Sequence, residues 1–575
     1  MAAAFFWRLF LVYELFGEPS GCGSCLVASS AISDAPFLIS WIALSWFGFT
    51  TNFRLISRLC RVISVVSLLL YVADIYVMSA FFTRLYVTWV INVGATPGIV
   101  FDYLKSSSPL ALAAFLFLFG MLITALFFKP KKHFFNPTAF YYLVPLVAVS
   151  SIAATQFQTQ YVHAWATDNV FVTSQFSGVS SRYSDEYLGS FANQFESIPS
   201  CREGLDKQQD VIVLILESWS AYHSDTWGGA ISWTPELDSI SKKSMLFQRT
   251  IAGGFNTNQG LMSIISGVPL LSPLTSLFSR KAFEPAWGWD YTLPKQLASG
   301  GYRTAFLTSG DLSFHGKAAW IEHAAFDYIE GHDASVYEGH PRRHFNAAPD
   351  DVLFSRAVDY WNDHSDVSEP LAIVVESVSS HTPFIHPLTG EKGEEPVIRY
   401  MDEVTGSFFR SLESAGYFSH GGLLLIASDH RSMTVIREEE GRLFGDWAPA
   451  LVPMLIYSED IRPRTIGRVV HQSDITPSLA GALTEQGCGY PGWRNLFRED
   501  PGEANSCVFH ASGTDWEKLL VFCDRGYGVI KLDGDQSRFL VTDSISASDQ
   551  QILLKKVAYF RSEAQANSEE YLSSQ

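Results

Sequence analysis

The chain has 575 residues, of which 41 are basic and 59 acidic, for a formal net charge of −18, and 47% are hydrophobic. That length exceeds one ordinary core and implies at least two domains. The acidic balance argues against nucleic acid as a partner, and the crowding of Leu, Phe, Val, Ala and Ile before Gln160 argues against a uniformly water-soluble chain.

A bilayer core of about 30 Å needs roughly 20 apolar residues. Four segments meet that need in chain order: "APFLISWIALSWFGFTT", "RVISVVSLLLYVADIYVMSAFF", "PLALAAFLFLFGMLITALFF" and "AFYYLVPLVAVSSIAA". A fifth, "AAAFFWRLFLVYELF", precedes them, is short and is interrupted by Arg8 and Glu14. No small-residue cleavage site follows it, so the reading is about five transmembrane helices within a domain at 1–160. Arg54, Arg58 and Arg61 stand between the second and third spans, and Lys129, Lys131 and Lys132 between the fourth and fifth, while residues 17–35 hold no Lys or Arg. Arg84 and Lys105 run against this pattern but are not clustered. By the positive-inside rule the chain leaves the fifth span on the outer side. The expectation is a multi-pass protein of the bacterial inner (cytoplasmic) membrane whose soluble part is periplasmic or extracellular.

Residues 1–165 hold nine basic and five acidic residues, so the remaining 32 basic and 54 acidic residues give the rest of the chain a net charge of −22. Cys201, Cys488, Cys507 and Cys523 fall in this exported part, where disulfides persist, and two bridges in three pairings are open. "CGSC", Cys22 to Cys25, has redox-motif spacing without the βαβ context, which favours a local disulfide or free thiols.

Residues 161–209 carry little periodic pattern and read as a linker over the membrane surface. From Val211 short, wholly apolar runs alternate with helical patterns: "VIVLIL", "RTAFLT", "LAIVVES", "GLLLIAS" and "PMLIYS". Such runs predict an α/β domain over 210–500 with a mostly parallel central sheet covered on both faces. A hairpin-like section, "LLVFCDRGYGVIKLDG" and "SRFLVT", and a polar helix from about Ser548 make a C-terminal subdomain at 501–575.

Ligands of parallel sheets collect at the carboxyl ends of the strands. Glu217 ends "VIVLIL", Asp429 and His430 follow "GLLLIAS", His381 follows "LAIVVESVSS", and Asp311 and Lys317 follow "RTAFLTSG". In "AGGFNTNQGL" a helix opens after a short strand near Phe247–Ile251, with Asn256 or Thr257 as its cap. Taken singly, Glu217 or Asp429 would pass as a helix cap and His430 as a loop histidine. Together, a carboxylate, a hydroxyl and an Asp-His pair supply hard oxygens and one imidazole, a donor set suited to Mn²⁺ or Zn²⁺. A divalent cation lowers the pKa of a coordinated hydroxyl, which would make Thr257 a nucleophile at a helix start that favours phosphate.

"VIVLILESWSAYHSD", "TPELDSISKKSMLFQRTIAGGFNTNQGLMSIISGVPLL", "SSHTPF", "IASDHR" and "HQSDITPSLAGAL" resemble, in order, the exported domain of lipoteichoic-acid-synthase-like phosphoglycerol transferases. That family belongs to the alkaline phosphatase and sulfatase superfamily and carries five N-terminal spans. The resemblance implies that Glu217, Thr257, Asp429 and His430 hold one divalent metal, that Thr257 takes up the head group, and that His381 contacts substrate and protonates a leaving oxygen. Where relatives often show an aromatic residue and an arginine, "SGDLSFHGKAAW" offers His315 and Lys317, with Asp311 nearby, as substrate contacts. Lysine there supplies a point charge instead of a planar fork.

The implied reaction moves glycerol phosphate from a phospholipid donor, phosphatidylglycerol, to an exported glycan or glycolipid acceptor. The "CxPxR" context of sulfatases is missing from "FNTNQG", and the "GTxTAxSxP" setting of lipid A phosphoethanolamine transferases fits less well than the phosphoglycerol group. Phosphoethanolamine transfer is the alternative, followed by a hydrolase or a non-catalytic envelope protein.

Overall fold

The computed structural model describes residues 1–16, 23–51, 53–81, 167–173, 183–191, 209–484 apart from 270, 272–290, 314–315, 366–368, 383 and 435, then 493–498, 507–511 and 518–574, with Leu85 and Gly120 singly. The chain divides into two compact units: residues 1–176 with 434–438, and residues 177–433 with 439–575.

In the first unit, helices α1 (Ala2–Phe16), α2 (Gly23–Thr50) and α3 (Arg54–Phe81) pack together. Among the described residues two helices, Gly23–Thr50 and Arg54–Ser79, are long and apolar enough to cross a membrane. Ile42, Phe47, Leu55, Leu59 and Ile63 point outward, where a water-soluble core helix would turn such residues in. Two of the five expected spans, 109–128 and 139–154, lie outside the described residues, as do Lys129, Lys131, Lys132, Arg84 and Lys105. Five spans are therefore an expectation, of which two are seen as span-length helices. Arg54, Arg58 and Arg61 belong to the first turns of α3, not to a loop, because α3 begins at Arg54.

Arg8 sits in an apolar helix because its charge is matched. It is fully buried, bonds Asp34 at 2.8 Å and Ser30, and donates to the carbonyls of Thr167 and Asp168 at 2.8 and 2.7 Å. Tyr71 and Asn169 also donate to Asp34, each at 2.6 Å. Buried charges in such helices are tolerated when paired in this way. Cys25 is disulfide-bonded.

The second unit is built on an eight-stranded sheet in the order β4-β3-β5-β1-β6-β7-β2-β8. The strands are β1 (Val211–Leu216), β2 (Met245–Ile251), β3 (Arg303–Thr308), β4 (Tyr328–Glu330), β5 (Leu371–Glu376), β6 (Leu423–Ser428), β7 (Leu451–Tyr457) and β8 (Arg464–His471). Every neighbouring pair is parallel except those made by β7, which runs against β6 and β2. β1 is wholly buried because its alternate residues feed two cores: Val211, Val213 and Ile215 join one, and Ile212, Leu214 and Leu216 the other.

A four-stranded antiparallel sheet, β12-β11-β10-β9, follows. It comprises β9 (Cys507–Ala511), β10 (Lys518–Cys523), β11 (Gly526–Lys531) and β12 (Arg538–Asp543), and a disulfide joins Cys507 to Cys523 across β9 and β10. Cys201 and Cys488 lie outside the described residues. β9 reaches the large domain directly, since Ala511 N donates to Gly253 O at 3.1 Å. The last helix, Ala547–Ser574, receives Tyr183 and Phe191 from the stretch read as linker, and Arg561 donates to Tyr183 Oη at 3.0 Å. These aromatic side chains give residues 183–191 an apolar face to dock with.

Candidate functional site

The parallel strands deliver their polar residues to one end of the sheet. Glu217 and Ser218 follow β1, Ser377 follows β5, and Asp429 and His430 follow β6. Between them enters the helix Thr257–Ser266, which begins just after β2. Its cap is Asn256, in extended conformation, whose side chain accepts from Gln259 N at 3.1 Å. Thr257 is thus the first helical residue, and its hydroxyl is left for other work. Thr257 Oγ1 lies 3.2 Å from Glu217 Oε2 and 3.3 Å from His430 Nε2.

His430 Nε2 is also 3.4 Å from Glu217 Oε1 and 3.3 Å from Asp429 Oδ2. Its other nitrogen, Nδ1, lies 2.7 Å from Arg431 O and so carries the ring proton in the neutral tautomer. The Nε2 lone pair then faces three oxygens. Asp429 Oδ2 is buried and accepts no hydrogen bond. Ligand atoms of Glu217, Asp429 and His430, all buried, lie within 4.8 Å of one another. An orphaned carboxylate oxygen, an oriented imidazole and a second carboxylate fit a divalent cation in kind and spacing.

The electrostatics say the same. Burial alone would raise the Glu217 carboxyl, but the hydrogen bond and charge of His430, then His381 and Ser218, carry it below the usual carboxylate range. Burial and the Glu217 charge push Asp429 well up. Burial opposes charging His430, yet Asp429 and Glu217 lift it to about 9. Three buried groups sharing protons in this way are the groups a cation would deprotonate on binding.

Two residues that sequence reasoning passed over hold the cluster. Ser218, at φ 60°, donates its N–H to Asp429 Oδ1 at 2.8 Å and its hydroxyl to Glu217 Oε1 at 2.6 Å, so one strained residue orients both carboxylates. Gln472 accepts from Gly253 N at 2.7 Å and donates to the carbonyls of Ser428 and Asp429. It thereby ties the Thr257 turn to the Asp429 turn. The only signal for either was adjacency, in "ES" after a strand and in "HQSD".

His381 packs against Phe345, with ring centroids 4.7 Å apart, and its Nδ1 meets Thr382 O. His381 is half-buried, and burial lowers its pKa against the pull of Glu217. Lys317 is near enough for its charge to lower His381 further. It is not a free cation: Nζ is 2.5 Å from Glu376 Oε1 at the end of β5. Glu376 is buried, its Oε2 has no partner, and burial raises its pKa despite the lysine. Asp311 accepts from Ser313 N at 2.8 Å and lies 3.7 Å from His332. His315 lies outside the described residues.

Residues 209–485 match the Sulfatase family. That match spans a little under half of the chain. Aligned over 349 positions, the chain is 23% identical to Phosphoglycerol transferase I of Xanthomonas campestris pv. campestris, covering 56% of this chain and 47% of the relative. Aligned over 289 positions, it is 22% identical to Phosphoglycerol transferase I of Xanthomonas axonopodis pv. citri, covering 46% and 39%. The chain thus spans less than half the length of these curated relatives.

Two solved structures share the fold of this part of the chain. One is an alkaline phosphatase superfamily protein from Vibrio parahaemolyticus, 16% identical over 69% of this chain and 99% of that one, with a TM-score of 0.54. The other is the lipoteichoic acid synthase LtaP from Listeria monocytogenes, 16% identical over 65% and 95%, with a TM-score of 0.51.

Proposed function

We propose that the protein is a membrane-anchored transferase that moves glycerol phosphate from phosphatidylglycerol, through a Thr257 ester, to an exported glycan or glycolipid. The observation that carries this reading is Thr257 Oγ1 itself: it is released from capping by Asn256 and turned toward Glu217 and His430. The kinship to proteins named Phosphoglycerol transferase I supports the head group.

Glu217, Asp429, His430 and Thr257 would hold one Mn²⁺ or Zn²⁺. When bound, such an ion supplies charge that favours ionised Thr257 and offsets charge growing on the phosphoryl oxygens. The rest falls to the chain. Thr257 Oγ1, its proton lost to solvent, forms a bond to phosphorus as the bond to the diacylglycerol oxygen breaks, and that oxygen takes up a proton from water to leave as the hydroxyl of diacylglycerol. An acceptor hydroxyl then displaces Thr257 from the same phosphorus, a double displacement with ping-pong kinetics. His381, kept largely neutral by its lowered pKa, is suited to take the acceptor's proton in that second step. The amide ends of the Thr257 helix face the phosphate. The soluble part stands on the periplasmic or extracellular side of a multi-pass inner-membrane anchor at 1–160, with the linker, catalytic domain and C-terminal subdomain bounded near 209 and 500.

The test is intact-mass analysis of the full chain after incubation with phosphatidylglycerol. One glycerol-phosphate unit should appear on wild type and none on Thr257→Ala, and chelation should abolish the adduct until Mn²⁺ or Zn²⁺ is restored. Turnover by folded Thr257→Ala would overturn the reading. An adduct formed only from phosphatidylethanolamine would keep the mechanism and change the head group.

A further inference from the structure

The turn His344–Asn346 packs on His381 and holds backbone that its residues do not favour. Phe345 has φ 49° and ψ 33°, and Asn346 has φ 55°. Asparagine tolerates the left-handed region, but a phenylalanine there is a true outlier. Its surroundings lock it. Asp311 N donates to Phe345 O at 2.8 Å, Arg343 N donates to Ala347 O at 3.1 Å, and Arg342 Nη1 spans the carbonyls of His332 and Asn346, both at 3.0 Å. Held so, Phe345 meets the His381 ring edge-on, and the His344 ring stands 5.9 Å from the same imidazole. Strain that is over-determined by its neighbours gathers where a geometry is used.

His344 Nε2 is buried and makes no hydrogen bond, a costly state for a polar nitrogen. Burial, then the His381 charge, hold its pKa down to about 3, while the Glu217 charge pulls the other way. The geometry that sets this ring toward the site is its position beside His381. At working pH this imidazole is neutral, able to donate one hydrogen bond and unable to carry charge.

We propose that His344 is a second substrate-contacting histidine, whose Nε2–H donates to a phosphoryl oxygen of the head group beside His381, with Phe345 as the wedge that sets the two rings. The proposal rests on the phosphoryl-transfer reading of Thr257, and adds to it a residue from a loop outside the motifs.

The test uses the full-length chain in detergent, with sn-glycerol 1-phosphate as probe and titration calorimetry as readout, so that no turnover is needed. His344→Ala should weaken binding by about tenfold or more, the scale of a hydrogen bond to a charged oxygen. His344→Gln keeps an N–H donor and should recover most of the affinity. Phe345→Gly relaxes the positive φ, so it should melt no lower than wild type, yet bind as weakly as His344→Ala. Equal affinity for wild type and folded His344→Ala overturns the role of His344 and leaves the Thr257 reading standing. If His344→Ala does not fold, undiminished binding by Phe345→Gly overturns it instead. A wild-type chain that binds no glycerol phosphate overturns both readings.

Discussion

Two adjacent residues divide what a single cap could not do. Asn256 bonds the helix end, so Asn256→Ala should cost about 0.5–2 kcal/mol of stability in a melting experiment and leave the Thr257 adduct able to form. Thr257→Ala should show the reverse: an unchanged melting temperature and no adduct. The glycines nearby are more surprising. Gly253, Gly254 and Gly260 stand where bare backbone would leave room for phosphate, but the structure gives that room to the protein itself. A Cβ on Gly260 would lie 2.1 Å from Asp429 O, one on Gly253 1.9 Å from Ser263 Oγ, and one on Gly254 2.2 Å from Gln259 Oε1. The Thr257 helix can approach the Asp429 turn only where side chains are missing. Gly260→Ala must therefore push Thr257 and Asp429 apart, since the atom it meets is backbone and cannot rotate away. Metal content after dialysis should fall to a small fraction of wild type while circular dichroism stays native-like. Retained metal with full activity would show that the two turns are not held by this contact.

Legibility at the level of elements follows burial. β1, β3, β5, β6 and β7 are wholly or almost wholly buried and show as unbroken apolar runs. β4, three residues at the sheet's edge, and β8, half polar at the other edge, have no such run and escape notice. The reversed direction of β7 is invisible for a different reason, because an apolar run does not encode which way it points. Glu217, Asp429 and His430 were legible because they end or follow such runs, and Thr257 because it opens a helix beside capping residues. Ser218, Gln472 and His344 were not, since their work depends on which turns meet. The same holds for Asp402, mid-helix in Glu394–Ser414, which accepts from Glu236 N at 2.8 Å and Leu237 N at 2.9 Å and so caps the helix Pro235–Ser241. Burial raises its pKa from 3.8 to about 7, with the two backbone bonds opposing and Glu236 and Asp238 assisting. Asp350, at the start of the helix Asp350–His364, is likewise raised by burial to about 7. In both, the folded chain holds a proton that the unfolded chain has lost between about pH 4 and pH 7. Their contribution to stability is therefore present below pH 4 and declines as pH rises to 7. Asp402→Asn should flatten that decline, and Asp350→Asn added to it should flatten it further. Melting temperatures at half-unit steps of pH would check this; an unaltered slope in the double variant would rule these carboxyls out.

At the scale of the whole molecule, the Thr257 centre is of use only on the side of the membrane where its acceptor is. The charge distribution supplies a direction. Arg54, Arg58 and Arg61 crowd the start of α3, and Lys129, Lys131 and Lys132 crowd the stretch before the segment 139–154, while residues 17–35 have no basic residue at all. Within α1 the one basic residue, Arg8, is matched by Asp34 and does not bias orientation as an exposed charge would. The proposed orientation therefore has the end of α2 and the start of α3 facing the cytoplasm. The proposed crossings, one for α3 and two more for 109–128 and 139–154, would bring the chain after Gln160 out on the far side. The net charge of −22 beyond residue 165 suits an exported domain that is not drawn back to an anionic lipid surface. A reporter active only outside the cytoplasm should be active when fused after Gln160 and silent when fused at Lys131. Replacing Arg54, Arg58 and Arg61 together by Gln should blur this contrast, because they supply half of the clustered cytoplasmic charge. Activity at Lys131 with silence after Gln160 would put Thr257 in the cytoplasm, and with it would fall the transfer to an exported acceptor.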